Sequence, residues 1–197
     1  MRASNVVGHC QSNPPGYDVW NAKLMNGRPR YWHPKEEISS WTDEERERVL
    51  EALGELPAVL KDEGIDGIFR LKNALIPDNP ASNSFSSVVL YDVAFSKQFN
   101  LTQVLGHELT HRLRKSLSDA EFASFQKAAK WKVDPKTGLL RSHRPENQFL
   151  RRNGMLSPEE DFCDDVSMYF LQPNKLKQIA PKVFDWIDNH VKLWRVK

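Results

Sequence analysis

The chain is poor in cysteine, with two in 197 residues: Cys10 in a polar N-terminal stretch and Cys163 within a helical pattern. A disulfide framework is therefore excluded as the organising device, leaving either one bridge or two separate thiols with Cys163 as a small core residue. Long apolar runs are missing as well. None approaches the ~20 residues that span a bilayer, and the opening MRASNVVGHCQSNPPG has no apolar core of signal-peptide length. No membrane partner and no export by the general route are expected. Nor is there an excess of one charge, since 28 Lys and Arg stand against 26 Asp and Glu, a net of +2. That balance argues against nucleic acid as a partner. What is present, 40% hydrophobic and 27% charged residues, is ordinary globular composition on a length that can bury its own core.

Residues 1–35, rich in Asn, Gly, Pro and aromatics, favour turns over a regular element and read as an arm packed on the domain or a cut linker. The domain proper is expected over 36–197, with an N-terminal lobe to about 115 and a C-terminal helical lobe over 116–197. Thr42 and Glu45 have capping-box spacing, and Val49, Leu50, Leu53, Leu56 and Leu60 then recur at helical intervals, which predicts a helix over 41–61. Residues 65–75 and 87–96 are enriched in β-branched and aromatic side chains and predict strands, separated by the turn-rich PDNPASNS of 77–84. A helical period returns over 101–117, with Asn100 or Thr102 as its cap. A second capping box, Ser118 with Glu121, opens a helix over 118–131. Residues 132–157 read as a long polar loop, and Pro158 and Pro181 each suit the first position of a further helix. The order of elements predicts an α+β fold.

On the helix over 101–117, His107-Glu108-Leu109-Thr110-His111 is an HExxH motif. Residues four apart share a helix face, so both imidazoles can reach one ion while Glu108 can touch a water beside it. Two helix histidines with surface roles are the plainer reading of the same letters. A catalytic zinc site takes three protein ligands and leaves the fourth place for water, so a third ligand is required. In metzincins it is a histidine six residues after the second, where this chain has Leu117. A gluzincin instead supplies a Glu from a later helix, with an acid four positions on to orient an imidazole. Glu160 and Asp164 form such a pair. At about 100° per residue they sit together at the margin of a stripe formed by Phe162, Cys163, Val166, Tyr169 and Phe170, while Asp161 and Asp165 point elsewhere. Glu159 ranks behind Glu160 because its i+4 neighbour is Cys163.

HELTH, followed after the polar stretch by SPEEDFCDD and then by APKVFDWIDNHVK, resembles the catalytic domain of anthrax lethal factor and related gluzincin toxins and secreted endopeptidases. The likeness covers 101–192, about half the chain. It implies a zincin-like fold, in which a small sheet and the motif helix are followed by a C-terminal helical lobe, and a Zn2+-dependent metallopeptidase that hydrolyses peptide bonds in a protein or peptide substrate. It also implies that Glu160 binds zinc, that Asp164 supports a histidine, and that Glu108 is the general base. The family places a Tyr seven residues before the ligand Glu to stabilise the oxyanion, whereas this chain has Asn153. His143, Tyr91, Tyr169 and Arg152 are the candidates to replace it. The strand over 87–96 is expected to offer its edge to an extended substrate. Kinship with toxins implies a secreted or delivered effector with a cognate immunity or inhibitor protein, against which stand a housekeeping cytoplasmic peptidase and a non-catalytic zinc-containing binding module.

Overall fold

Helices begin where the caps place them. Thr42 accepts from the Glu45 N–H while the Glu45 carboxylate accepts from the Thr42 N–H, and this reciprocal pair opens helix α2 (Asp43–Glu55). Ser118 and Glu121 do the same for α4 (Asp119–Ala128), and Asn100 accepts from Gln103 N to open α3 (Leu101–Ser116). Prolines sit in the first turn of α5 (Pro158–Leu171), α6 (Pro173–Ile179) and α7 (Pro181–His190), where a missing N–H costs nothing. α2 ends before the expected limit because Pro57 disfavours helical backbone at Leu56, which is extended; the apolar spacing continues only as a 3₁₀ turn at Ala58–Leu60.

The chain is α+β. A computed structural model describes residues 17–61, 64–84 and 86–194. Among them a four-stranded sheet has the spatial order β1-β2-β4-β3. Strands β1 (Leu24–Met25), β2 (Gly67–Arg70) and β4 (Ser87–Leu90) are parallel, and β3 (Ala81–Ser84) pairs antiparallel with β4. One face packs under α2 and α3 through Val49, Leu53, Ile68, Val88, Leu105 and Leu109. The other face, with Phe69, Leu71, Val89 and Tyr91, is covered by Trp32. The C-terminal part of the core joins α4, α5 and α7 through Phe122, Phe125, Phe162 and Trp186. Cys163 is a free, buried thiol in this core; Cys10 lies outside the described residues.

Four readings of the sequence need correction. The stretch 17–35 is not without regular structure: helix α1 (Tyr17–Lys23) leads into β1, and Trp20 and Leu24 are core residues. Residues 1–16 lie outside the described set. The turn-rich segment 77–84 contains strand β3, whose Ser and Asn have little strand preference of their own and owe their conformation to the ladder with β4. Because β4 is flanked by β2 and β3, it has no edge to offer; its strand also stops at Leu90 and gives way to a 3₁₀ turn at Asp92–Phe95. Finally, 131–142 forms a hairpin of β5 (Trp131–Val133) and β6 (Leu140–Ser142), so the helix expected to reach 131 stops at Ala128.

Helices α3 and α5 approach so closely that a Cβ built on Gly106 would stand 2.7 Å from Ser167 Oγ and 3.3 Å from Leu56 Cδ2. Alanine at a helical glycine ordinarily gains about 1 kcal/mol, whereas overpacking a buried contact costs about 1–3 kcal/mol. Gly106→Ala is therefore expected to destabilise the fold, and much less so in a Ser167→Ala background where Oγ is gone. Urea denaturation of the four proteins measures both; a net gain from Gly106→Ala alone would refute the close crossing.

Candidate metal centre and cleft

His107, Glu108 and His111 project from the buried middle of α3, and Glu160 and Asp164 from the first turns of α5. The crossing at Gly106 brings the two sets together. His107 Nε2 is 3.3 Å from Glu160 Oε2, and His111 Nε2 is 3.6 Å from Glu160 Oε1. One ligand atom from each of the three residues lies within 4.8 Å of the others, a spacing able to hold a metal ion. Behind the first ring, His107 Nδ1 donates to Asp164 Oδ1 at 2.8 Å. With Nδ1 so bonded, Nε2 is the ring nitrogen turned toward Glu160, and it becomes the atom available to an ion once its proton is lost. Glu159, the second-ranked acid, is half exposed and sits 3.7 Å from His111 Nδ1, on the ring edge away from Glu160.

Burial disfavours a charged imidazole at His107, yet the carboxylates of Asp164 and Glu160 outweigh it and raise its pKa to about 9. For His111, burial and the charge of His107 act together and lower it. The hydrogen bond from His107 holds Glu160 below the usual carboxylate range against the effect of its own burial. Glu108 is pushed up to about 7, chiefly by burial, with the His107 charge opposing and the Glu160 carboxylate adding to it. A carboxyl poised there can take a proton near neutral pH and return it.

The group forms the floor of a cleft of about 910 Å³. One wall is the segment 76–83, which includes the first three residues of β3; the other is Arg151, Arg152, Asn153 and Leu156. Asn83 Nδ2 donates to the Glu108 carbonyl at 3.1 Å and so ties β3 to the turn of α3 that carries the motif. Of the oxyanion candidates, only Arg152 lines the cleft. Tyr91 is buried, with its hydroxyl donating to Glu36. The Tyr169 hydroxyl donates to Asp188, and His143 is exposed beyond β6. None of these three borders the cleft: the two tyrosine hydroxyls are bonded to carboxylates elsewhere, and His143 lies on the exposed chain after the hairpin. Asn153, at the family's tyrosine position, does border it.

Two arginines escaped the reading of the sequence. Arg144 is buried between Asp161 and Asp165, with Nη1 2.8 Å from Asp165 Oδ2 and Nη2 bonded to Asp161. Trp131 Nε1 donates to Asp161 Oδ2 at 2.7 Å. These acids do not point to solvent; burial raises both above the usual carboxylate range, with the charge of Asp165 adding to it at Asp161 and that of Asp164 at Asp165, against the pull of Arg144. Arg151 bonds Asp164, with Nε 2.8 Å from Oδ1. Nothing in the polar, aperiodic run 132–157 marks either arginine, since their partners lie on a helix distant in sequence. Comparison of the chain with family models, curated proteins and solved structures finds no match.

Arg144→Ala leaves two buried carboxyls without their cation and should cost about 3–5 kcal/mol, whereas Lys136→Ala on the exposed hairpin turn should cost less than about 0.5 kcal/mol; chemical denaturation compares them. A second expectation concerns pH. Because the folded pKa of Glu108, about 7, lies above its unfolded value of ~4.3, its contribution to stability is complete below that lower value and is lost as pH rises through 7. The metal-free Glu108→Gln chain should therefore match the parent near pH 4 and exceed it in stability at pH 8. Parallel stability curves across that range would contradict the burial of Glu108.

Proposed function

We propose that this protein is a zinc-dependent metallopeptidase of the gluzincin type with a zincin-like fold. The observation that carries the reading is the convergence of His107, His111 and Glu160 at the floor of an open cleft, with Asp164 orienting His107 from behind. Two imidazole nitrogens and a carboxylate suit zinc, and three protein ligands leave room for water or substrate. Bound there, zinc would supply a Lewis acid that acidifies water and polarises the scissile carbonyl. Glu108 is the only other carboxylate on the motif turn, is not one of the three donors, and has the raised pKa of a general base. It takes the proton of the attacking water and passes it to the leaving amine, so that bond cleavage creates no free strong base.

The substrate is an extended polypeptide. Strand β3 lies at the end of the sheet and borders the cleft. Its unpaired edge can accept a peptide backbone as an added strand and lay it across the floor. Arg152 and Asn153 on the opposite wall are the groups able to donate to the carbonyl oxygen as charge develops there. We read the protein as a delivered effector whose harm depends on turnover, held in check in its producer by an inhibitor protein.

The test begins with metal analysis. The parent chain and Glu108→Gln should each hold about one zinc, and His107→Ala, His111→Ala and Glu160→Ala should hold none. Full occupancy in Glu159→Ala and loss in Glu160→Ala distinguish the two acids. Glu108→Gln should then lose most of the parent's activity in a proteome-wide cleavage assay. Produced in cytoplasm or periplasm, the parent should slow growth where Glu108→Gln does not. A zinc-loaded parent that cleaves nothing and is harmless in both compartments would sink the peptidase reading; cleavage without harm would favour a housekeeping enzyme.

A further inference from the structure

Three carboxylates, Glu108, Glu160 and Asp164, meet within one small region, and Arg151 bonds into it through Asp164. Asp164 Oδ1 receives His107 Nδ1–H at 2.8 Å, Arg151 Nε–H at 2.8 Å and a further bond from Arg151 Nη2, which also lies beside His107 Nδ1. Asp164 Oδ2 is buried and makes no hydrogen bond. It faces Gly154, where an added Cβ would come within 3.3 Å of it. Besides His107, the carboxylate is thus held on one side by the guanidinium of Arg151 and on the other by the close approach of the Gly154 backbone, both from the same short segment of chain.

We infer that Arg151 is a positioning residue for the metal centre: it fixes the Asp164 carboxylate in the orientation that presents His107 Nε2 to the ion, and it fastens the cleft wall to that carboxylate. The inference rests on the zinc reading above. A carboxylate with one of its oxygens unbonded can rotate about its terminal torsion, which has only a shallow preference. The planar guanidinium, bonding Oδ1 through two of its nitrogens, pins that oxygen and removes the freedom in a way that a single point charge does not. The wall follows from chain connectivity, because Arg152 and Asn153 directly succeed Arg151 and line the cleft. A shift of the arginine therefore moves the surface that contacts substrate together with the group that orients the ligand.

The test is a double-substitution cycle read as zinc affinity, by competition with a chromogenic chelator, on the parent, Arg151→Gln, Asp164→Asn and the double variant. Arg151→Gln should weaken zinc about 10-fold or more, the range of outer-shell partners, and should change affinity by less than about 2-fold once Asp164 is already Asn. Arg151→Lys, which keeps the charge but offers one nitrogen, should fall between, and it replaces the glutamine variant in the cycle should that variant not fold. Equal losses in both backgrounds would mean that Arg151 acts through general folding and would overturn the inference, as would unchanged affinity. A parent chain that binds no zinc would overturn the metal reading itself, an outcome separate from either.

Discussion

The candidate site depends on how closely two helices can approach. α3 carries both histidines and α5 the acids that face them, and the distance between the helices is set where Gly106 meets Ser167. With any larger residue at 106 the helices would have to separate by some tenths of an ångström or shift along one another. The hydrogen bond from His107 Nδ1 to Asp164, at 2.8 Å, has no such slack. Thr110, one turn beyond, turns its hydroxyl back to the Gly106 carbonyl at 2.6 Å, so this hydroxyl does not compete with His107 for the acids opposite. Packing, and not the affinity of the ligands for one another, is what holds three ionisable groups within reach of a common point.

Five acids lie in the first two turns of α5, and the fold sorts them by giving each a different neighbour. Glu160 meets the imidazoles, Asp164 meets His107 and Arg151, Asp161 and Asp165 share Arg144, and Glu159 stays half exposed beside His111. Each pairing is a response to the cost of burying charge, which is large for an isolated carboxylate and smaller for one with a fixed cation. The two arginines come from a single stretch between β6 and α5. That stretch, irregular as it is, does two things at once: it neutralises the inner face of the helix and it builds one wall of the cleft.

The sheet supplies the other wall. Its interior strands are buried and, apart from Arg70 and Ser87, apolar, whereas the edge strand β3 is made of Ala, Ser and Asn. Such a strand buries little and, among the described residues, pairs on one side only, with β4. Asn83 anchors it to the motif turn through the Glu108 carbonyl, so strand and motif are held in one frame.

Local order was legible from the sequence where a short segment contains its own cause. The capping boxes at Thr42 and Ser118, the prolines at 158 and 181 and the helical period around HELTH each specify an element, and the i, i+4 spacing places His107 with His111 and Glu160 with Asp164. What the sequence could not decide is which groups from separate segments face one another. β3 is a strand only because β4 lies beside it, Leu24 is core only because β2 does, and Asp161 is buried only because Arg144 reaches beneath the helix. Tyr91 and Tyr169 have the right chemistry for the cleft but hydroxyls committed elsewhere. Backbone caps and helix periodicity act over three or four residues, while burial and charge pairing act across space, so spacing determined which residues share a helix face and the fold determined what surrounds them.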